Sequence, residues 1–136
     1  MASQVKFLDT HGFFAWLNSE DPQHARVVKL FTTGDGPYLT TDWIVGETCN
    51  LLVARRRPHL VRRLFQALDK SCVIDRIAID ESRFQAARAL FERFEKHAFP
   101  LTDCTSFVVM REFRLKDALT ADRHFRIMGF NPILAD

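Results

Sequence analysis

The sequence predicts an α/β sandwich built around a mostly parallel β-sheet. Short, β-prone apolar runs alternate along the chain with longer segments whose apolar residues recur every three or four positions, as they do in helices. The first run, residues 5–8, has the near-continuous apolar character of a strand that is covered on both faces. In sheets of this kind ligands bind beyond the carboxyl ends of the strands. The fold class therefore predicts where a functional site should lie.

Five strands and six helices are predicted. The strands cover residues 5–8, 38–40, 72–77, 118–120 and a last short segment within 129–134. The first helix begins at Thr10, the second after the break at residues 18–22, and the third at a cap formed by Thr41 or Asp42. The fourth begins at Pro58, the fifth at Asp80 and the sixth at residues 101–103. The third helix runs towards Arg57, and the fourth tolerates proline in its first turn.

Most of these helices have an apolar face that should pack in the core. The predicted faces are Phe13, Phe14, Trp16 and Leu17 in the first helix, Ala25, Val28 and Leu30 in the second, Leu60, Val61, Leu64, Phe65 and Leu68 in the fourth, and Phe84, Ala87, Leu90, Phe91 and Phe94 in the fifth. The third and sixth helices differ, because each carries an acidic residue on its apolar side.

Asp103 and Glu47 are these two acids. The apolar face of the sixth helix comprises Ser106, Val109, Met110 and Phe113. At roughly 100° per residue, Asp103 lies about 60° from Ser106 and so on the same face. In the third helix, Glu47 lies beside the stripe formed by Ile44, Thr48, Leu51 and Leu52. A charge in such a place costs several kcal/mol unless it is paired or bound to a ligand.

Asp9 and Asp122 are acids of a second kind, since each follows a predicted strand. Taken singly, an acid after a strand usually belongs to a turn, and one in the first turn of a helix usually caps it. Four carboxylates in one small volume would repel one another, however, and a hard divalent cation removes that conflict. Mg²⁺ or Mn²⁺ suits carboxylate oxygens and completes its shell with substrate phosphate. The four acids together thus indicate metal-assisted phosphodiester hydrolysis.

The composition excludes several other classes of protein. A chain of 136 residues with 47% hydrophobic residues, among them 13 Phe, predicts one globular domain over residues 1–136 and not a disordered protein. No apolar run approaches the roughly 18 residues that a membrane span needs. Residues 1–5 lack the zones of a signal peptide, so we expect a cytoplasmic protein.

The cysteines and a cluster of arginines give two further predictions. Cys49, Cys72 and Cys104 are widely separated among apolar neighbours, which predicts reduced, buried thiols, and the five histidines lack the spacing of a zinc motif. The net charge of +2 does not by itself indicate nucleic acid. Five arginines fall within nine residues, and they form either a solvated helix end or an RNA phosphate contact: Arg55, Arg56, Arg57, Arg62 and Arg63.

A family resemblance agrees with this chemistry. The resemblance is carried by Asp9-Thr10, by the segment from Thr41-Asp42 to Glu47-Thr48, by Leu101 to Phe107 (LTDCTSF) and by Leu119 to Phe125 (LTADRHF) followed by Gly129-Phe130. In these segments the chain resembles the PIN-domain ribonucleases, and most of all the VapC-type toxins of toxin–antitoxin pairs. The resemblance implies a three-layer α/β/α fold and an endoribonuclease, a hydrolase, that depends on Mg²⁺ or Mn²⁺. Asp9, Glu47, Asp103 and Asp122 would be its acidic site. Thr10, Ser106 and Thr120 would support them. It also implies an antitoxin partner and allows a homodimer.

Some alternatives stay open at this level. Where family members often carry a small residue after the first Asp-Thr, this chain has His11, which would contact phosphate, bond to a site carboxylate or simply face outward. A regulatory receiver-like module also gathers acids and magnesium at a sheet edge, but it pairs adjacent acids and places a lysine after a late strand. A PIN-like scaffold that binds RNA or a partner without cutting is a second alternative. A metal-dependent phosphatase is a third, although no paired aspartates follow the first strand.

Overall fold

The computed structural model describes residues 5–34 and 36–136, and in that part of the chain five strands alternate with seven α-helices. The strands are Lys6–Leu8 (β1), Tyr38–Thr41 (β2), Ile74–Ile77 (β3), Asp117–Leu119 (β4) and Asn131–Pro132 (β5). The helices are Thr10–Leu17 (α1), His24–Thr32 (α2), Asp42–Ala54 (α3), His59–Lys70 (α4), Glu81–Arg93 (α5), Leu101–Glu112 (α6) and His124–Ile127 (α7).

The strands form one parallel sheet in the order β3-β2-β1-β4-β5. Phe7 in the central strand pairs with Leu39 on one side and with Ala118 on the other. Helix α1 packs against α2, α3 and α4, α5 packs along α6, and α3 also contacts α4 and α6. This arrangement confirms the predicted three-layer α/β/α sandwich. The strand order reverses between β1 and β4, which is where such sheets form a ligand crevice.

Local interactions set the helix starts. The hydroxyl of Thr41 accepts a hydrogen bond from the Ile44 N–H at 3.1 Å, so Thr41 and not Asp42 caps α3. Asp80 likewise caps α5 by accepting from the Arg83 N–H at 2.9 Å. Pro58 directly precedes α4, as the tolerance for proline at a helix start predicts.

The core confirms most of the predicted faces, with specific corrections. Phe65, Phe91 and Phe113 are 48%, 42% and 39% exposed, although the spacing placed each on a buried face. Phe113 lies at the C-cap of α6, where the helix ends, and the centres of the α4 and α5 stripes are held instead by Leu64 and Ala87. In α2 the buried residue is Val27, and Ala25 is exposed.

Two other expectations change. Cys72 is exposed and precedes β3, which begins only at Ile74, so the prediction of a buried thiol holds for Cys104 but not for Cys72. Cys49 is half-buried, and all three thiols are free. The short helix α7 and a 3₁₀ turn at Glu95–His97 were not predicted, because three or four residues are too few to show a periodicity.

Among the helices of residues 5–34 and 36–136, none has the length and apolar character that crossing a membrane requires.

Candidate active site

The four predicted acids line one cavity of about 510 Å³. Asp9 lies at the N-terminal boundary of α1, just after β1, and its side chain makes no capping hydrogen bond, while Asp122 lies in the loop between β4 and α7. Glu47 comes from α3, and Asp103 comes from the first turn of α6. Residues up to 113 positions apart in the chain therefore meet beyond the carboxyl ends of β1 and β4, at the switch point of the sheet.

Asp9 and Asp103 are the buried members, each only 6% exposed. Burial raises the pKa of Asp9 to about 7, and repulsion by Glu47 and Asp122 adds to this, while hydrogen bonds from the Thr120 hydroxyl and the Thr10 N–H oppose it. Burial also raises the pKa of Asp103 to about 8, followed by repulsion from Asp9 and by its hydrogen bond with Asp122. The site thus disfavours negative charge unless a cation compensates it.

The predicted supporting hydroxyls divide into two groups. Thr10 Oγ1 donates to Glu47 Oε1 at 2.5 Å, and Thr120 bonds to Asp9 while its Oγ1 accepts from the Asp122 N–H at 3.1 Å. Both threonines line the cavity. Ser106 does not, because its hydroxyl is fully buried and donates to the Thr102 carbonyl of its own helix at 3.3 Å. A supporting role for Ser106 stays a prediction.

His11 takes a position that the sequence alternatives did not include. Its Nδ1 accepts a hydrogen bond from the Ala121 N–H at 3.2 Å, and the half-buried ring forms part of the cavity wall. The ring therefore does not simply face outward. Its bond ties α1 to the loop after β4, the loop that carries Asp122.

Two residues of the site were missed by sequence reasoning. His124 places Nδ1 at 3.3 Å from Asp122 Oδ1 and at 4.0 Å from Asp103 Oδ2. Its position two residues after Asp122 was the available signal, but the histidines were compared only with the spacing of zinc motifs, which they lack. Asp21 adds a fifth carboxylate to the cavity wall, where its Oδ1 accepts from the Gln23 N–H at 2.8 Å.

The five arginines of the predicted cluster are not equivalent. Arg55 lines the cavity, with its guanidinium 5.7 Å from the centre of the Phe14 ring. Arg57 pairs with Glu20 at 2.5 Å, and the guanidinium of Arg63 lies 5.8 Å from the Trp16 ring centre. The other two, Arg56 and Arg62, are exposed. Within the described residues that line the cavity, Arg55 is the only lysine or arginine.

The residues present fit a divalent cation. Oδ1 of Asp9 and Oδ2 of Asp103 are buried without a hydrogen-bond partner, and such atoms are costly unless something binds them. Asp103, Asp122 and His124 each offer one ligand atom, and these atoms lie within 4.8 Å of one another. A donor set dominated by carboxylate oxygens is the set that Mg²⁺ and Mn²⁺ favour.

Comparison with known proteins finds relatives in sequence and in structure. The 23S rRNA-specific endonuclease VapC20 of Mycobacterium tuberculosis is 27% identical over 124 residues, which are 91% of this chain and 94% of that protein. The crystal structure of M. tuberculosis VapC20, a Sarcin-Ricin loop cleaving toxin, superposes with a TM-score of 0.85 at 24% identity, covering 95% of this chain and 98% of that one. A toxin–antitoxin complex from Klebsiella pneumoniae gives a TM-score of 0.62 at 16% identity, covering 87% of both chains.

The family model of the PIN domain matches residues 6–131, a range that contains strands β1 to β4, the first residue of β5 and all four predicted acids of the cavity. The chain belongs to the PIN-domain family.

Proposed function

We propose that this protein is an endoribonuclease that depends on Mg²⁺ or Mn²⁺, and that it is the toxin of a toxin–antitoxin pair. The observation that carries the proposal is the pair of buried carboxylate oxygens, on Asp9 and Asp103, that have no hydrogen-bond partner and face two further carboxylates in one cavity. RNA as the substrate is supported by the likeness to VapC20, which is named as an rRNA endonuclease.

Asp9, Glu47, Asp103 and Asp122 hold the cation in this proposal, and the protein groups around them keep the ligands in place. Thr10 fixes the Glu47 carboxylate, and Thr120 links Asp9 to the loop of Asp122. A bound divalent cation supplies positive charge against the phosphate and activates the attacking water. Arg55 adds a fixed positive charge at the cavity wall, where it attracts the RNA backbone without reading its sequence.

The receiver-like alternative fits the site less well. Asp9 has Leu8 and Thr10 as neighbours in the chain, so no adjacent pair of acids follows β1. Of the described residues that line the cavity, none is a lysine, which such a module needs after a late strand. A scaffold that binds RNA without cutting has the same four acids as a nuclease, so only an activity measurement separates it from the proposed enzyme.

RNA cleavage is the decisive experiment. Purified protein should cut RNA in Mg²⁺ or Mn²⁺, and EDTA should stop the reaction. Asp103→Asn should lower the cleavage rate by more than about 100-fold, because the loss of a metal ligand lowers activity at least as much as the loss of a residue that only hydrogen-bonds to a ligand. Asp69→Asn makes the same change of charge on the exposed surface of α4 and should cut like the parent. Cleavage that survives EDTA, or a folded Asp103→Asn protein with full activity, would contradict the proposal.

RNA binding through the arginine cluster is tested separately from chemistry. Arg55→Gln should weaken RNA binding and lower the slope of log K against log salt by about 1, since one phosphate contact is lost. Arg88→Gln, on the exposed face of α5, is the matched control and should leave that slope unchanged. Arg57→Gln should have a smaller effect than Arg55→Gln, because the Arg57 charge is already paired with Glu20. Equal slopes for Arg55→Gln and the parent would rule out the contact.

The proposed partners are an antitoxin, a second copy of the chain and RNA, in the cytoplasm, where its three free cysteines would stay reduced. Exposed apolar side chains offer surface for protein partners, among them Val53, Phe65, Val73, Phe91, Phe113 and Ile127. Expressed alone the protein should slow growth, and its native form should purify with a small protein. Normal growth with no associated protein would argue against the toxin role and leave the nuclease proposal standing.

A further inference from the structure

We propose that His124 is a metal ligand of this site, and that its Nδ1 forms with Asp103 and Asp122 a mixed nitrogen and oxygen site that prefers Mn²⁺ to Mg²⁺. The inference rests on the proposed function for the statement that the cavity binds a divalent cation. It goes beyond the four acids by adding a nitrogen donor and by choosing between the two metals.

The positions of the three donor atoms are the first support. Nδ1 of His124 lies 3.3 Å from Asp122 Oδ1 and 4.0 Å from Asp103 Oδ2. Around an octahedral ion with bonds of about 2.1 Å, neighbouring ligand atoms lie about 3.0 Å apart and opposite ones about 4.2 Å apart. The two separations from Nδ1 fall between these limits, and all three ligand atoms lie within 4.8 Å of one another. Small shifts of side chains therefore suffice to bring all three atoms onto one ion.

The state of these atoms is the second support. Asp103 Oδ2 and His124 Nδ1 are both buried, and neither has a hydrogen-bond partner. The contact of 3.3 Å with Asp122 thus lacks the geometry of a hydrogen bond, so the ring is not held there as a donor to that carboxylate. A nitrogen lone pair beside two carboxylate oxygens is repulsive unless a proton or a cation lies between them, and a divalent cation satisfies all three atoms at once.

The surroundings hold the ring in this orientation. The edge of Phe99 packs against His124, with ring centres 5.3 Å apart and planes at 75°. The backbone N–H of His124 also donates a hydrogen bond to Asp122 Oδ1 at 2.9 Å, which fixes the start of α7 against this carboxylate. Phe99 is itself buried and stacks on His97. The imidazole is therefore oriented by contacts that do not involve a metal, as in a preformed ligand set.

The choice of metal follows from the nitrogen donor. Mg²⁺ is bound through carboxylate, carbonyl and water oxygens, whereas nitrogen donors also bind the first-row divalent transition metals, among which Mn²⁺ binds them most weakly. Mn²⁺ binds carboxylates as readily as Mg²⁺ does, and an imidazole ligand strengthens the binding of Mn²⁺ more than that of Mg²⁺. Replacing one oxygen ligand by Nδ1 should therefore raise the preference for Mn²⁺.

Pulsed electron paramagnetic resonance of bound Mn²⁺ tests the ligand directly, without a measurement of activity. The parent protein should show coupling to one imidazole nitrogen, and labelling its histidines with ¹⁵N should change that signal. The coupling should persist in His97→Gln, whose ring stacks on Phe99 and does not line the cavity, and in His11→Gln, whose ring does line it. It should vanish in His124→Phe and in His124→Asn.

Binding measurements complete the test. His124→Phe should weaken Mn²⁺ binding by about 10- to 100-fold and Mg²⁺ binding by less than about threefold. His124→Asn puts an oxygen close to the place of Nδ1, so it should keep Mg²⁺ binding while the preference for Mn²⁺ falls by about tenfold.

Three results would overturn the inference. Mn²⁺ that binds the parent without nitrogen coupling would exclude His124 as a ligand, and so would coupling that disappears in His11→Gln but not in His124→Phe. Both results leave a nuclease with four acids intact. Failure of the parent to bind Mn²⁺ at all would also remove the cation site on which the proposed function depends. The ¹⁵N labelling needs no variant, so it shows whether a histidine is a ligand even if His124→Phe does not fold, and His124→Asn together with His11→Gln then identifies which one.

Discussion

Asp9 and Asp103 make the stability of this protein depend on pH. Burial raises the pKa of Asp9 from 3.8 to about 7 and the pKa of Asp103 from 3.8 to about 8. Between pH 4 and pH 8 the folded protein therefore holds protons that the unfolded chain has released. The contribution of these two acids to stability is full below about pH 4 and is lost as pH rises through the two folded pKa values.

We predict that in EDTA the free energy of unfolding falls by a few kcal/mol between pH 5 and pH 9, as measured by urea denaturation. Asp103→Asn should flatten this dependence, because an amide does not ionise, and at pH 8 it should stabilise the metal-free protein. Asp69→Asn, on the exposed surface, should keep the slope of the parent. A parent whose stability rises over this range would show that the two acids are not held as described.

At the scale of single elements, helix α1 is held against β4 by a close approach at Gly12. A Cβ on this residue would lie 2.6 Å from the Leu119 carbonyl oxygen and 2.9 Å from a methyl group of Leu8. No side chain fits there unless α1 moves. Because Asp9 and Thr10 begin α1 and Thr120 follows β4, that movement would separate the Thr120 hydroxyl from Asp9.

We predict that Gly12→Ala destabilises the fold by about 1–3 kcal/mol and weakens metal binding as well, because the clash is with backbone. Gly46→Ala is the matched control. It also changes a glycine within a helix, but its Cβ would meet nothing within 4 Å, so it should raise stability by up to about 1 kcal/mol. Urea denaturation and Mn²⁺ titration measure the two effects. Similar stability for both alanine variants would contradict the close packing of α1 on β4.

At the scale of the whole molecule, the cation site depends on the complete fold. Its acids come from β1 with α1, from α3, from α6 and from the loop after β4. These segments meet only when the sheet is formed, so a cation should bind the folded chain and not the unfolded one. Binding must then stabilise folding.

We predict that Mg²⁺ or Mn²⁺ at about 100 times its dissociation constant stabilises the protein by about 2.7 kcal/mol. The rise in Tm should be larger at pH 8 than at pH 5, because protons on Asp9 and Asp103 compete with the cation at the lower pH. Asp103→Asn should reduce the rise. Thermal unfolding curves that coincide with and without metal at pH 8 would exclude a shared cation site.

The turn after α3 shows where sequence patterns stop being informative. Arg56 adopts the left-handed conformation, with φ of 59°, and ends the helix in a position where glycine is usual. The N–H groups of Arg56 and Arg57 bond back to the carbonyls of Val53 and Leu52. Pro58 marks a helix boundary nearby, but no glycine marks the position of the turn itself, so the sequence did not predict which arginine would lie at the cavity.

The sequence by itself determined the alternation of strands and helices, the two acids that follow β1 and β4, and the inward direction of Asp103 and Glu47. Each of these is encoded locally, because the period of apolar residues specifies which face of an element is buried. The tertiary structure decided which elements became neighbours. Strand β1 lies beside β4, and His124 lies beside Asp103 and Asp122. Phe91 and Phe113 are at the surface, and of the five clustered arginines Arg55 lines the cavity. These outcomes depend on packing between distant segments, and a local period carries no information about which distant segment will cover a given face.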